Sequence, residues 1–176
     1  IYIGARLSEP DQSKFTASML RQGQRLFNED RVAVILDTFN DKRNGYRFEV
    51  NPNGIRDDAL YLDTTQTQWD WEGIFLAEAV IEEQGWTAEM AIPFKSLRYE
   101  PGEQVWGINV RRSVRWKNEM SYLSQVPQTG SNSPQQGLFR FSAAATLTGV
   151  TTPPESRLLE IKPYGISSLK TDKTLS

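Results

Sequence analysis

The chain has 176 residues, 38% of them hydrophobic, 24% charged and 11% aromatic, with 20 Lys and Arg against 22 Asp and Glu for a formal net charge of -2. Such values suit one folded domain, with or without a tail, and supply no overall field to draw nucleic acid or an anionic membrane. The absence of Cys and His removes thiol nucleophiles, Ser-His-Asp triads, imidazole-bound zinc and His-ligated haem. A metal here would be a hard ion on oxygen ligands, calcium first.

Ile1 to Leu7 alternates like a strand from the first residue, so the numbering is read as that of a fragment whose start lies upstream. Arg31 to Phe39 is a Val-, Ile- and Leu-rich strand that ends at Asn40-Asp41. Tyr46 to Val50 alternates and meets the turn cluster Asn51-Pro52-Asn53-Gly54, and Ile55 to Asp63 returns from it as a hairpin. A second hairpin pairs Gly73 to Glu83 with Trp86 to Pro93 across Glu83-Gln84-Gly85. Phe94 to Leu97 suits one helical turn before Glu100-Pro101-Gly102-Glu103 resets the chain.

Val105 to Trp116 is the longest strand pattern. Alternation puts Trp106, Ile108, Val110, Arg112, Val114 and Trp116 on a mostly apolar face and Asn109, Arg111, Ser113 and Arg115 on the other. Gln125 to Gln136 reads as a surface loop, and Gly137 to Ala143 as a closing strand. Thr151-Thr152-Pro153-Pro154 marks a boundary, because two prolines cannot join a central ladder. Residues 1–150 are therefore expected to form one domain, and residues 151–176 a linker, a strand pattern at Arg157 to Tyr164 and a polar tail. Many short strands and one helical turn predict an all-β antiparallel sandwich, lacking its first strands in this fragment. No run of about 18 apolar residues is present for a membrane-crossing helix.

Three stretches together resemble the carbohydrate-binding family 9 domain, of the type found at the front of large bacterial outer-membrane proteins: Asp30 to Phe39 with Asn51-Pro52-Asn53-Gly54, then Gly85 to Phe94, then Trp106 to Arg112. The resemblance covers roughly residues 1 to 150. It implies a non-catalytic sugar-binding sandwich of the cell envelope, periplasmic, extracellular or associated with the outer membrane, in some members with structural calcium. It also implies that Leu158 to Tyr164 enters a following barrel. Sugar-binding members clamp the apolar face of a sugar between two Trp rings and hold its hydroxyls with charged and amide groups. By position, the first clamp Trp corresponds to Phe27, the acidic residue to Ala33, the Arg to Glu49 and the amide to Arg111. The second clamp would fall in Thr129 to Gln136, which has no Trp.

The candidate sugar-binding residues are Trp69, Trp71, Arg111 and Phe27. Trp69 and Trp71 are two apart among acids and amides, which suits a stacking pair, although one of them can equally pack as core. Trp86, Trp106 and Trp116 are expected in the core. Arg111 and Arg115 share a face and could hold a uronic acid, a sulfated sugar or a phosphate, but pairing with Glu49, Glu78 or Glu89 is favoured. Asp37 and Asp41, or Asp57 and Asp58, are the candidate calcium ligands, set against the commoner role of Asp at turns. No carboxylate pair is spaced for glycoside hydrolysis, so no enzymatic activity is expected. The partner is a glycan. The alternative is an interaction or gating domain that packs on its own barrel or on an envelope protein and binds no sugar.

Overall fold

The structure, a computed structural model, describes residues 1–63, 66–126, 138 and 140–154. Its strands are β1 (Tyr2–Ser8), β2 (Arg31–Asp37), β3 (Gly45–Val50), β4 (Arg56–Leu62), β5 (Gln66–Gln68), β6 (Leu76–Glu82), β7 (Gly85–Ala91), β8 (Gly102–Val114), β9 (Glu119–Tyr122) and β10 (Ala145–Thr152). They form a three-stranded sheet in the order β1-β7-β6 and a seven-stranded sheet in the order β10-β8-β2-β3-β4-β5, with β9 also on β8. Every pairing is antiparallel.

Side chains of one parity fill the space between the sheets. Leu7 of β1 and Trp86, Ala88 and Met90 of β7 join Val32, Val34 and Leu36 of β2, Tyr46, Phe48 and Val50 of β3, and Trp106 of β8 in one apolar core. Trp86 and Trp106, expected inside, are 2% and 0% exposed. The second hairpin turns through Glu83-Gln84, and its register puts Glu82 opposite Gly85. Only glycine fits there: φ is 145°, and a Cβ would collide with the Leu7 carbonyl of the neighbouring strand.

The larger sheet is buried on both faces along β2 and β3, which is why Val32 to Leu36 is a continuous apolar run rather than an alternating one. On the face turned away from the smaller sheet, Ala33, Ile35, Ala59 and Tyr61 pack with Leu138 and Phe141.

Three expectations are corrected. The closing strand is β10; of the expected closing strand Gly137 to Ala143, the part Phe141–Ala143 is instead a short 3-10 turn that inserts Phe141 against Tyr61. Trp116 is 46% exposed rather than core, because β8 ends at Val114 and a turn breaks the alternation. The short strands β5 and β9 complete the sheet without having been expected. Residues 155–176, on which the expected tail falls, lie outside the described residues, as does most of the Gln125 to Gln136 loop.

Candidate functional site

The second face of the larger sheet carries charge where an apolar face would be simplest. Alternation from Val32, Phe48 and Val110, which face the core side, forces Arg31, Arg47, Glu49 and Arg111 to the opposite face. The register aligns Glu49, Ala33 and Arg111 in one row across β3, β2 and β8. Glu49 and Arg111 are thus two strand spacings apart, about 9.5 Å. The small side chain of Ala33 leaves the path along which the long Arg111 stem crosses to the carboxylate.

Glu49 is the hub. Arg111 Nη2 donates to its Oε1 at 2.6 Å, Arg31 Nε lies 3.3 Å from its Oε2, and Arg47 Nη1 lies 3.6 Å from its Oε1. Arg47 Nη2 also donates to Asp57 Oδ2 at 2.9 Å, and Arg25 Nη1 donates to Asp57 Oδ1 at 2.7 Å. Burial by itself would raise the Glu49 carboxyl, but attraction by Arg47, Arg111 and Arg31 outweighs it and holds the group below its ordinary value. Desolvation lowers Arg31, and repulsion from Arg111 and Arg47 works in the same direction against the attraction of Glu49.

An aromatic rim borders this cluster. The guanidinium carbons of Arg25 and Arg47 each lie 5.0 Å from the Trp69 ring centroid, and Phe27 meets that ring edge-on at 5.5 Å. Arg31 fixes the stretch that carries Phe27 by donating Nη1 to the carbonyls of Leu26 at 2.6 Å and Phe27 at 2.9 Å. Buried Asn51 ties the same stretch to the first hairpin. Its Oδ1 accepts from the N–H of Asn53 and Ile55, and its Nδ2 donates to Glu29. Phe27 is 38% exposed, while Trp69 is half-buried.

The structure therefore unites Phe27, Trp69 and Arg111 on one face and separates Trp71 from them. Trp71 packs on Tyr46 at 5.2 Å and Phe48 at 5.9 Å, on the core side. The stacking pair fails because β5 ends at Gln68 and a turn follows, so the two-residue period of a strand does not hold there. Arg111 pairs with Glu49 as favoured. Glu78 and Glu89 lie on the smaller sheet, directly opposite each other. Arg25, Arg31 and Arg47 were not singled out from sequence. For Arg31 and Arg47 the signal was present as charged residues at sheet-facing parity inside apolar strand patterns; Arg25 lies in the loop before β2 and gave none.

The four candidate aspartates do different work. Asp37 accepts the N–H of Asp41 at 3.2 Å and of Lys42 at 2.9 Å, and burial raises its carboxyl. Asp41 accepts from Arg43 and Asn44, bonds that outweigh its partial burial and lower it. Asp57 serves the arginines, and Asp58 accepts the Gly73 N–H from the other face of β4, with burial raising it. Among the described residues no three acidic groups converge as a metal site. Elsewhere, Trp116 carries Lys14 and Lys117 at 5.3 and 5.0 Å from its ring and donates Nε1 to Glu9.

No family model matches the sequence, and no curated protein matches it significantly. Solved structures do. A carbohydrate binding module family 9 from Caldicellulosiruptor kristjanssonii in complex with cellotriose aligns over 92% of this chain and 74% of its own, at 14% identity and a TM-score of 0.56. The complex of such a module from that organism with glucose aligns over 89% and 73%, at 12% identity and 0.56. A protein of Bacteroides uniformis, described as a candidate carbohydrate-binding protein, aligns over 72% of this chain at 16% identity and 0.54, and the chain spans 64% of that protein's length. The chain has the β-sandwich fold of carbohydrate-binding module family 9.

Proposed function

We propose that the chain is a non-catalytic carbohydrate-binding domain whose site is the rim formed by Phe27, Trp69 and Arg25, backed by Arg111 and Glu49. The observation that supports it most is convergence. Phe27, Ala33, Glu49 and Arg111, four of the five positions that the resemblance assigns to the sugar site, come together on one face, and Trp69 joins them from another part of the chain; the fifth, within Thr129 to Gln136, lies outside the described residues. The neighbours in fold, two of them solved with cellotriose or glucose, favour a glycan as partner. Phe27, the more exposed ring, offers the apolar surface for a sugar face. The envelope setting rests on the resemblance alone, and fractionation of the native host tests it.

The binding experiment is a glycan array with wild type, Phe27→Ala and Trp69→Ala, followed by calorimetry on the best hit. Loss of a stacking ring should weaken binding by roughly one to two orders of magnitude, by analogy with base stacking at about 1–3 kcal/mol. Equal affinity in all three proteins would move the site away from this rim. The depth of Arg31, Arg47 and Arg111, none more than 2% exposed, favours a second reading if no glycan binds: a sealed charge cluster that stiffens an interaction domain.

A further inference from the structure

We propose that Arg31 is a positioning residue of the sugar site: it ties the Phe27 ring to the Glu49 hub, and saccharide affinity depends on that tie although Arg31 lies too deep to touch a sugar. This rests on the sugar-binding reading above and deepens it. Arg31 is 1% exposed at the start of β2, and a guanidinium buried there is costly unless its donors are answered. They are answered in two directions. Nε lies 3.3 Å from Glu49 Oε2 on β3, while Nη1 donates to the carbonyls of Leu26 at 2.6 Å, Phe27 at 2.9 Å and Glu29 at 3.2 Å. One planar group thus reaches from the sheet to the turn that carries the exposed ring.

The neighbouring acids grip a different part of the same stretch. Glu29 accepts from Ser18 and Met19, and Asp30 accepts from Thr16, so both hold residues 16–19, whereas Arg31 holds the end with Phe27. The ring itself meets Trp69 edge-on at 5.5 Å, a weak contact taken alone. Glu49 is fixed in turn from β8 by Arg111 at 2.6 Å, so the ring inherits the placement of β2, β3 and β8 through one side chain. A stacking ring that is held before the sugar arrives need not be ordered by it, and a ring set free subtracts that ordering cost from the affinity. Lysine at position 31 would keep the charge, but its single nitrogen cannot serve the carboxylate and the turn together.

The test labels the whole chain with 4-fluorophenylalanine, takes as the Phe27 fluorine signal the one lost in Phe27→Leu, and adds calorimetric titration with cellotriose and with the best hit of the glycan array. In the wild type the Phe27 signal should be a single line, displaced from that of the free amino acid by the Trp69 ring. In Arg31→Lys, well below its melting temperature, that line should move toward the free position while the other fluorine signals stay, and saccharide affinity should fall about tenfold. A purely structural role would lower the melting temperature and leave the Phe27 line in place, which would overturn the proposal. A moved line with unchanged affinity would also overturn it, by separating the placement of the ring from binding, and would leave sugar binding itself standing. Binding of no saccharide by the wild type would instead remove the sugar-binding reading, and with it the link from Arg31 to affinity. Should Arg31→Lys fail to fold, the wild type decides: a displaced Phe27 line supports a held ring, and a line at the free position overturns it.

Discussion

Replacing Glu49 with Gln keeps the size of the side chain and removes the charge on which three buried guanidiniums converge, at 2.6, 3.3 and 3.6 Å. At an effective dielectric constant of about 20, a unit pair at 4 Å attracts by about 4 kcal/mol, and desolvation of a buried carboxylate offsets several kcal/mol of such a gain. Breaking a buried pair from one side typically costs about 3–5 kcal/mol, because the partner charge is stranded. With three guanidiniums losing this carboxylate, although Arg47 keeps Asp57, Glu49→Gln should lie toward the upper end, about 4–5 kcal/mol, against a total stability of about 5–15 kcal/mol. The melting temperature should fall by about 8–20 °C for a chain of this size. Urea denaturation at pH 7, followed by tryptophan fluorescence, measures this as a shift in midpoint at constant slope. Adding Arg111→Met should recover part of the loss, since one stranded charge is then gone. A cost below about 1 kcal/mol for Glu49→Gln would refute the hub, and with it the claim that the arginines depend on this carboxylate.

The same variant makes a pH prediction. The Glu49 carboxyl is held below its ordinary 4.5 in the folded chain, so its contribution is complete above that value and disappears as pH falls through the folded value. The stability gap between wild type and Glu49→Gln should therefore close on acidification, and a constant gap in urea melts across that range would contradict the assignment. On the smaller sheet, Glu78 and Glu89 are exposed and directly opposed, so Glu78→Lys should stabilise by about 0.5–1 kcal/mol, with thermal melting as the check and no gain as the adverse result. If calcium joins the Asp37 to Asp41 turn, melting should rise in millimolar calcium relative to EGTA. An unchanged midpoint would leave Asp37 and Asp41 as holders of the turn alone.

By itself the sequence determined the local architecture, because turn chemistry and side-chain period act over few residues. Asn51-Pro52-Asn53-Gly54 and Glu83-Gln84 announced the two hairpins, and the alternation along β8 sent Trp106, Ile108, Val110 and Val114 to the core side. Period arguments failed where strands stop. Trp71 and Trp116 each lie beyond a strand end, where a turn rotates the next side chain out of register. The short β5 and β9 have too few residues to show a period. Only the tertiary structure decided the candidate site. Arg25, Arg31, Arg47, Glu49, Trp69 and Arg111 come from separate parts of the chain, and their meeting depends on β2 lying between β3 and β8 with Ala33 opposite both Glu49 and Arg111. Local propensity does not encode that pairing. It is set by which strands bury the most apolar surface together, and a shift of one residue would have turned the arginines into the core.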